Sequence, residues 1–435
     1  MRIRNGIDQA VGRGAARFFT PGHNGGKSLS LRYDVTELAG TDNLRRPSGI
    51  IRAAEQNAAA VFGALRTYFL VNGSSVGLHA LIMSVCKRGD TLIVDRNCHV
   101  SVINALVLSD IRPVYIYPAH NGAFGVSAVV APGEVELAFR ENPSAKGVLI
   151  TSPTYYGVCS DIYAIAEITH KYHGTLLVDE AHGAHFPFSP LLPQSALMCC
   201  ADGVVQSAHK TLPCITQGAM LHLGSGRIPP SAVRENLNLL QTTSPSYLIL
   251  SSIDDAVTEM RRGGAARLAN VIGICGALRD KLDATGKFRC LRSDDPTRLV
   301  IHAGEHARAA AEKLRKLHRV IIEMCDGSNL VLIVKAAHGS RDLQRLEHAL
   351  LSIAQTLPPL AERRNPAPPR PAPALPPAEA YYSETEVISV KAAVGRISAR
   401  AVYQTPPCVC LLAPGERVTA EVADALDGEI TVTLS

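Results

Sequence analysis

The chain has 435 residues, of which 46% are hydrophobic, and it carries a formal net charge of +5. This length allows two or three domains with a substantial core, and the small charge, without a basic run, argues against nucleic acid or an acidic membrane as a partner. No stretch has the length of a membrane span or the pattern of a signal peptide. The eleven scattered cysteines lack zinc-site spacing, which predicts reduced thiols, no metal and a cytoplasmic location.

Apolar runs of strand length alternate with helical stretches from about residue 65 to residue 225. This alternation predicts an α/β domain with a doubly wound, mainly parallel sheet. Ligands bind such sheets at the carboxyl ends of the strands. We therefore expect five segments in which an apolar run ends in polar residues to line one crevice: 69–79, 92–99, 147–157, 175–182 and 204–210.

The first of these segments predicts a phosphate-binding loop. An apolar run turns through Asn72 and Gly73 into the hydroxyls of Ser74 and Ser75, and an apolar helical stretch follows. Backbone N–H groups and hydroxyls at a helix N-terminus suit a bound phosphate. Taken alone, the same residues also describe an ordinary turn and helix cap.

Asp179 and Lys210 predict the chemistry of the crevice. Asp179 ends one apolar run. Lys210 lies 31 residues after Asp179 and shortly after the next apolar run. A lysine amine in a partly desolvated pocket forms a Schiff base with pyridoxal phosphate (PLP), and a carboxylate keeps the cofactor's ring nitrogen protonated. The pair therefore predicts a PLP enzyme with Lys210 as the covalent anchor. His99, at the end of another run, is a candidate to stack on the ring.

The rest of the chain changes character at three points. Residues 254–283 predict a helix leading into a small α+β domain, with strands at 298–302, 320–322 and 330–334 and a helix over 307–317. Nine prolines between residues 357 and 380 predict an extended, exposed linker. The predicted domains are therefore a large domain with an N-terminal arm (1–253), the small domain (254–356), the linker (357–380) and a C-terminal segment (381–435).

At this point the chain resembles the Orn/Lys/Arg decarboxylases, PLP-dependent enzymes of the aspartate aminotransferase fold type. The motifs that carry the resemblance follow one another in family order: 19–23, 41–44, 72–75, 96–99, 152–157, 178–186, 207–212 and 243–247. The resemblance implies a large PLP-binding domain of fold type I, a smaller α+β domain and a short C-terminal domain. It also implies decarboxylation of lysine, arginine or ornithine to an amine and carbon dioxide.

The resemblance also implies roles for individual residues, in a homodimer with shared active sites. Lys210 would bind the PLP aldehyde, Asp179 the ring nitrogen, and His99 the ring face. His209 would contact the phosphate and is a candidate proton donor to the substrate's alpha carbon. The other implied contacts are Gly73, Ser74, Ser75 and Ser207 at the phosphate, Ala181 and His182 beside the ring, and Thr242 of the partner subunit at the phosphate.

The chain departs from the family pattern in several places. Val100 stands where members usually have a lysine after the stacking histidine, and Gly77-Leu78-His79 replaces a segment that often contains an amide. The family motif starts near residue 18, which predicts a short form without the N-terminal wing domain and without a large ring assembly. The acidic pocket for a basic side chain is not located, and its candidates are Asp42, Glu384 and Glu416.

Three other functions remain open at this stage. Another PLP reaction, such as transamination or aldol cleavage, fits the same pair, and Arg396 or Arg400 could then bind the substrate carboxylate. A nucleotide-driven motor is suggested by the helicase-like residues 178–182 and by residues 21–28, which nearly copy a P-loop but have Pro21 at the first glycine position. A catalytically silent relative is the third.

Overall fold

The structure is a computed structural model that describes residues 2–11, 30–361, 365–404 and 409–434. The sequence motif 19–23 and the P-loop-like segment 21–28 lie outside the described residues. The helices of the described residues are α1 (Ile3–Val11), α2 (Ile50–Phe62), α3 (Gly73–Val85), α4 (Val100–Ser109), α5 (Pro132–Glu141), α6 (Ile162–Lys171), α7 (Ala208–Thr211), α8 (Pro230–Leu240), α9 (Tyr247–Ala284), α10 (Ala307–Leu317), α11 (Ser340–Ala354), α12 (Pro377–Tyr382) and α13 (Ala420–Asp424).

The strands fall into one large sheet and several small ones. In chain order they are β1 (Arg66–Leu70), β2 (Thr91–Asp95), β3 (Arg112–Ile116), β4 (His120–Asn121), β5 (Val126–Ser127), β6 (Gly147–Thr151), β7 (Thr175–Asp179), β8 (Gly203–Gln206), β9 (Ala219–Leu223), β10 (Arg289–Cys290), β11 (Arg298–His302), β12 (Met324–Cys325), β13 (Asn329–Ile333), β14 (Thr385–Ser389), β15 (Val402–Gln404), β16 (Val409–Leu412) and β17 (Glu429–Thr433).

The seven-stranded sheet has the order β1-β9-β8-β7-β6-β2-β3. Its β2–β3, β2–β6 and β7–β8 pairs are parallel, whereas β9 is antiparallel to both β1 and β8. The central strands are apolar along nearly their whole length, as is typical of strands buried on both faces. The predicted α/β class with a mainly parallel sheet is confirmed.

Gly77 lets α3 lie close to this sheet. A Cβ atom at this position would lie 2.7 Å from Leu70 Cδ1 and 3.0 Å from Val205 Cγ1. The first distance is shorter than real Cβ contacts and the second is tighter than most of them, so a larger residue would displace the Leu70 and Val205 side chains or α3 itself. Gly77 thereby helps to position the N-terminus of α3.

The described chain divides into two compact units. The first contains Met1–Ser84, Leu177–Ile272 and Lys335–Ala337, and the second contains Val85–Leu176, Gly273–Val334 and His338–Ser435. The four-part division at residues 253, 356 and 380 remains a prediction.

In the second unit, four antiparallel strands form a sheet of order β10-β11-β13-β12. Its strand β11 and the helix α10 have the predicted bounds, and α9 includes the whole predicted helix. The predicted strand at residues 320–322 is wrong. Val320 N instead donates to Leu314 O and closes the end of α10, Ile321 is 85% exposed, and the edge strand forms at β12, where Met324 is buried.

The described part of the proline-rich segment is mostly exposed, but it is also hydrogen-bonded to the rest of its unit. Residues 365–376 have neither helix nor named strand, but α12 begins inside the predicted linker. Asn365 N donates to Gly122 O, Ala374 N donates to Gly415 O, and Pro371 is buried. Backbone hydrogen bonds therefore hold this segment against other parts of the second unit, which composition alone does not reveal.

Among the described helices, none combines the length and the apolarity needed to cross a membrane.

Candidate active site

Lys210 lies on the short helix α7, directly after strand β8. Ser207 is the residue before the helix, and the Lys210 side chain is half-buried. Its Nζ lies 3.1 Å from Nε2 of His182, which is buried. Because a ring nitrogen can accept the hydrogen of an ammonium group or donate to a neutral amine, this contact suits proton exchange between the two groups.

Asp179 ends strand β7, and Lys210 follows the neighbouring parallel strand. The register pairs Asp179 with Val205, and Glu180 N donates to Val205 O at 2.9 Å. The Asp179 carboxylate is buried, and its Oδ1 accepts from Ala181 N at 3.1 Å. The structure thus places the predicted acid and the predicted amine after adjacent strands of the first unit.

The predicted phosphate loop has the expected local structure. Strand β1 ends at Leu70, and Gly73, with a φ of 76°, begins the 13-residue helix α3. Ser207 Oγ donates to Ser74 Oγ at 2.8 Å, so hydroxyls from α3 and from the start of α7 meet. The N-terminus of a helix with adjacent hydroxyls suits an anion.

Two further residues of the predicted site form hydrogen bonds within the first unit. Thr242 N donates to Asn72 Oδ1 at 3.2 Å within the same chain. His209 Nδ1 donates to Gly218 O at 3.0 Å, which leaves Nε2 as the acceptor nitrogen of the neutral ring. Burial lowers the pKa of His209, the Gly218 carbonyl raises it by a smaller amount, and the net direction is downward.

Sequence reasoning missed two buried polar side chains in the same unit. Glu180 Oε2 accepts from Gln206 Nε2 at 2.6 Å, and Glu180 Oε1 accepts from Ala196 N at 2.7 Å. Burial raises the pKa of Glu180 to about 8, and the hydrogen bonds from Gln206 and Ala196 limit the rise. In the sequence, the one indication of their importance is that Glu180 directly follows Asp179 and Gln206 directly precedes Ser207.

His99 belongs to the second unit, where it precedes helix α4. Its Nδ1 accepts from Ser101 N at 3.1 Å and lies 2.8 Å from Ser101 Oγ, so the ring caps the helix. Its stacking on a cofactor remains a prediction. In the same unit, Tyr155 donates to Glu323 and Tyr156 donates to Asp326.

Two of the three carboxylates considered for a basic substrate have structural partners. The Asp42 carboxylate accepts backbone N–H groups at the start of α2, including those of Ser48, Gly49 and Ile51. Glu416 is completely buried and forms an ion pair with Arg96 at 2.8 Å. Glu384, the third, is exposed.

The two arginines considered for a transaminase both contact their own unit. Arg396 donates to Glu386 and to the Thr433 carbonyl. Arg400 donates to the Tyr381 carbonyl and lies over the Tyr381 ring. These contacts give neither arginine an evident role in binding a substrate carboxylate.

Comparison with known protein families gives matches over both parts of the chain. The family model "Orn/Lys/Arg decarboxylase, major domain" matches residues 5–308, and the model of the C-terminal domain of the same family matches residues 363–427. The chain belongs to the Orn/Lys/Arg decarboxylase family. The predicted family is therefore confirmed.

Two curated relatives of this family member match nearly its whole length, and a third matches a smaller part. An uncharacterized protein of Bacillus subtilis (strain 168), YaaO, is 36% identical over 98% of this chain and 93% of its own. An arginine decarboxylase of the same organism is 33% identical over 96% of this chain and 91% of its own. The inducible lysine decarboxylase of Escherichia coli (strain K12) is 30% identical over 60% of this chain and 40% of its own.

Solved structures support the fold of this family member. The lysine decarboxylase LdcF of Francisella novicida aligns with a TM-score of 0.86 and 20% identity, over 100% of this chain and 81% of its own. A serine palmitoyltransferase of Sphingomonas wittichii aligns with a TM-score of 0.59 and 15% identity, over 82% of this chain and 85% of its own. The chain therefore has the fold shared by these decarboxylases and transferases.

Proposed function

We propose that this chain is a PLP-dependent decarboxylase of a basic amino acid and that arginine is its substrate. The observation that carries the proposal is the half-buried Lys210 amine, 3.1 Å from His182 Nε2 and directly after the strand beside the one that ends in Asp179. Membership in the Orn/Lys/Arg decarboxylase family supplies the reaction class.

The side chains of the first unit fit PLP by their chemistry. Lys210 offers an amine for the aldehyde, Asp179 offers a buried carboxylate for the ring nitrogen, and the hydroxyls at the start of α3 offer donors for the phosphate. Ser74, Ser75 and Ser207 would hold the phosphate together with Gly73, and Ala181 would lie beside the ring. When bound, PLP supplies an aldehyde that exchanges amines and a ring that accepts the electron pair released with carbon dioxide.

His182 would exchange a proton with the Lys210 amine at the start of the reaction. A lysine is a nucleophile only in its neutral form, and the His182 ring nitrogen, 3.1 Å from Nζ, would exchange a proton with it. Asp179, as an anion, would stabilise positive charge on the ring nitrogen. The two neighbouring strands thus supply the amine and the counter-charge from a fixed framework.

His209 would supply the last proton. Loss of carbon dioxide leaves an electron pair on the alpha carbon, and a proton must join that carbon to give the amine. The Gly218 carbonyl fixes the ring by accepting from Nδ1, which leaves Nε2 to carry a proton. A lowered pKa makes protonated His209 a stronger acid, as a donor to carbon requires.

Arginine is favoured by the names of the relatives that span the chain. Arginine decarboxylases of Bacillus subtilis, Bacillus cereus and Halalkalibacterium halodurans are 32–33% identical over 93–96% of this chain. The lysine decarboxylase of Escherichia coli matches only 60% of it. We further propose that the enzyme works in the cytoplasm as a homodimer, with Thr242 of the partner subunit near the phosphate.

Borohydride reduction of the PLP-loaded protein tests the covalent anchor. We expect mass spectrometry to find reduced PLP on the peptide that contains Lys210. Lys210→Ala should lose both the label and the visible absorption band, whereas Lys171→Ala, at an exposed position, should retain both. A label on a different lysine would contradict the assignment.

A substrate panel tests the reaction. Arginine, lysine and ornithine are supplied with labelled carboxyl carbon, and released carbon dioxide, amine and keto acid are measured. We expect carbon dioxide and agmatine from arginine at the highest kcat/KM. Keto acid without carbon dioxide would establish a transaminase, and bound PLP without any product would establish a silent relative.

A further inference from the structure

Four buried side chains form a hydrogen-bonded series in the first unit, here called the Glu180 network. Its members are Glu180, Gln206, His222 and Thr67. After the Gln206–Glu180 bond, Gln206 Oε1 lies 3.2 Å from His222 Nε2, and His222 Nδ1 lies 2.8 Å from Thr67 Oγ1. No member is more than 1% exposed. The network therefore runs from the end of β7 through β8 and β9 to β1.

The network joins the two segments that carry the candidate catalytic groups. Glu180 directly follows Asp179, and Gln206 ends the strand that leads through Ser207 to Lys210. The last register pair between these strands is Asp179 with Val205. The bond from Gln206 to Glu180 extends the connection past that pair, at the point where the strands give way to loops.

Close packing fixes the positions of the network side chains. Ala196 N donates to Glu180 Oε1, and a Cβ atom on Gly183 would lie 2.6 Å from Glu180 Cγ. At the other end, the Phe62 ring stacks on His222 with centroids 4.9 Å apart. A buried side chain held in this way transmits a displacement to its partners.

Both protonation states of Glu180 satisfy every hydrogen bond in the series. The ionised carboxylate accepts from the Gln206 amide, whose oxygen accepts from His222 Nε2–H. When Glu180 is neutral, its hydroxyl donates to a reversed Gln206 amide, which in turn donates to His222 Nε2. Thr67 donates to His222 Nδ1 in the first case and accepts from it in the second. His222 stays neutral in both cases because burial lowers its pKa to about 3. The Glu180–Gln206 bond thus persists whether or not Glu180 is charged.

We propose that Glu180 is a positioning residue that, through Gln206, holds the segments of Asp179 and Lys210 in the arrangement that binds PLP. This inference rests on the proposed function. Glu180 acts through the backbone to which Asp179 and Ser207 are attached and has no part in the chemistry of the bond that breaks. The required property is a hydrogen bond between positions 180 and 206, and the charge of Glu180 is secondary.

The test compares variants that break the bond with variants that keep it. Glu180→Ala removes the acceptor of Gln206 Nε2 and of Ala196 N and should weaken PLP binding by roughly 10- to 100-fold. Glu180→Gln and the exchange Glu180→Gln/Gln206→Glu keep a donor and an acceptor in contact and should bind PLP within about threefold of the wild type. Glu235→Ala, at an exposed position on α8, is the matched control.

Each variant is measured by equilibrium dialysis against PLP, by the pH titration of the visible band and by thermal unfolding. We expect the titration midpoint of Glu180→Ala to differ from that of the wild type and the midpoint of Glu180→Gln to equal it. A loss of stability alone would not produce this difference. Wild-type affinity and titration in Glu180→Ala would overturn the inference. If that variant does not fold, the outcome depends on the folded bond-keeping variants: affinity within threefold supports the inference, and a loss beyond tenfold overturns it.

Failure of the inference is separable from failure of the proposed function. The proposed function fails if the wild-type protein shows no PLP band and no carbon dioxide release. The inference fails when the wild type binds PLP but the variants do not follow the expected order.

Discussion

Removal of Glu416 should destabilise the protein strongly, because it leaves a buried charge without a partner. Arg96 Nε donates to Glu416 Oε1 at 3.1 Å, and the second terminal nitrogen donates to Oε2 at 2.8 Å. The two side chains are 5% and 0% exposed. Burial by itself lowers the pKa of Arg96, but Glu416, together with smaller contributions from Cys410 and Tyr115, outweighs that effect; the net direction is upward, so Arg96 stays charged.

The magnitude follows from the cost of an uncompensated buried ion. We expect Glu416→Leu to lower the free energy of unfolding by about 3–5 kcal/mol, a factor of roughly 100 or more in the folded-to-unfolded ratio. Arg96→Met should cost a similar amount, because it leaves the Glu416 carboxylate buried and removes the bond from Arg96 to the Cys410 carbonyl. The double variant should cost less than either single change, since an apolar pair replaces the ion pair.

Urea unfolding followed by circular dichroism measures these changes, because the chain has no tryptophan. The double-mutant cycle gives the coupling energy between Arg96 and Glu416. The KM for arginine should stay unchanged in Glu416→Leu below its unfolding temperature. An unaltered unfolding midpoint with a raised KM would refute this reasoning, because it would assign Glu416 to the substrate's basic group.

Three further changes are expected to have measurable effects. Asp42→Ala should lower the free energy of unfolding by about 1–2 kcal/mol at pH 7. Burial raises the pKa of Asp42, but its backbone hydrogen bonds outweigh burial, and the net direction is downward. In urea unfolding, the difference between the variant and the wild type should therefore shrink below pH 3.8. In the wild type, the free energy of unfolding should fall as the pH rises from 4.5 to 8, because the unfolded chain releases the Glu180 proton in this range while the folded protein keeps it. Glu180→Gln has no such proton, so its free energy of unfolding should change less over the same range. An identical pH profile in both proteins would contradict this. Ser207→Ala should weaken PLP binding about tenfold in equilibrium dialysis, and unchanged affinity would remove Ser207 from the phosphate site.

The sequence predicted the strands of the sheet well where they are apolar throughout. Strand β7 and the run before Lys210 were evident because a buried strand between two helical layers needs Leu and Val at nearly every position. Strand β9 was missed. It carries His222, whose polar ring is satisfied by Gln206 and Thr67, and these partners are distant in sequence.

The sequence indicated which residues form the candidate site, but it did not indicate most of the contacts between their side chains. Asp179 and Lys210 follow from cofactor chemistry, whereas the contact between Lys210 and His182 depends on how the chain folds between two positions 28 residues apart. Asp42 likewise has a carboxylate that suits a basic substrate, and only the folded backbone shows that it caps α2. Local patterns specify elements, but such contacts arise from tertiary structure.

His222 has a further consequence as an internal reporter. Its two ring nitrogens face different partners, Gln206 on one side and Thr67 on the other, so the nitrogen that carries the hydrogen depends on the state of Glu180. Nitrogen-15 chemical shifts of labelled histidine distinguish the two tautomers. The protein therefore contains its own probe of an acid-base event inside the sheet, readable without an added dye or a substitution.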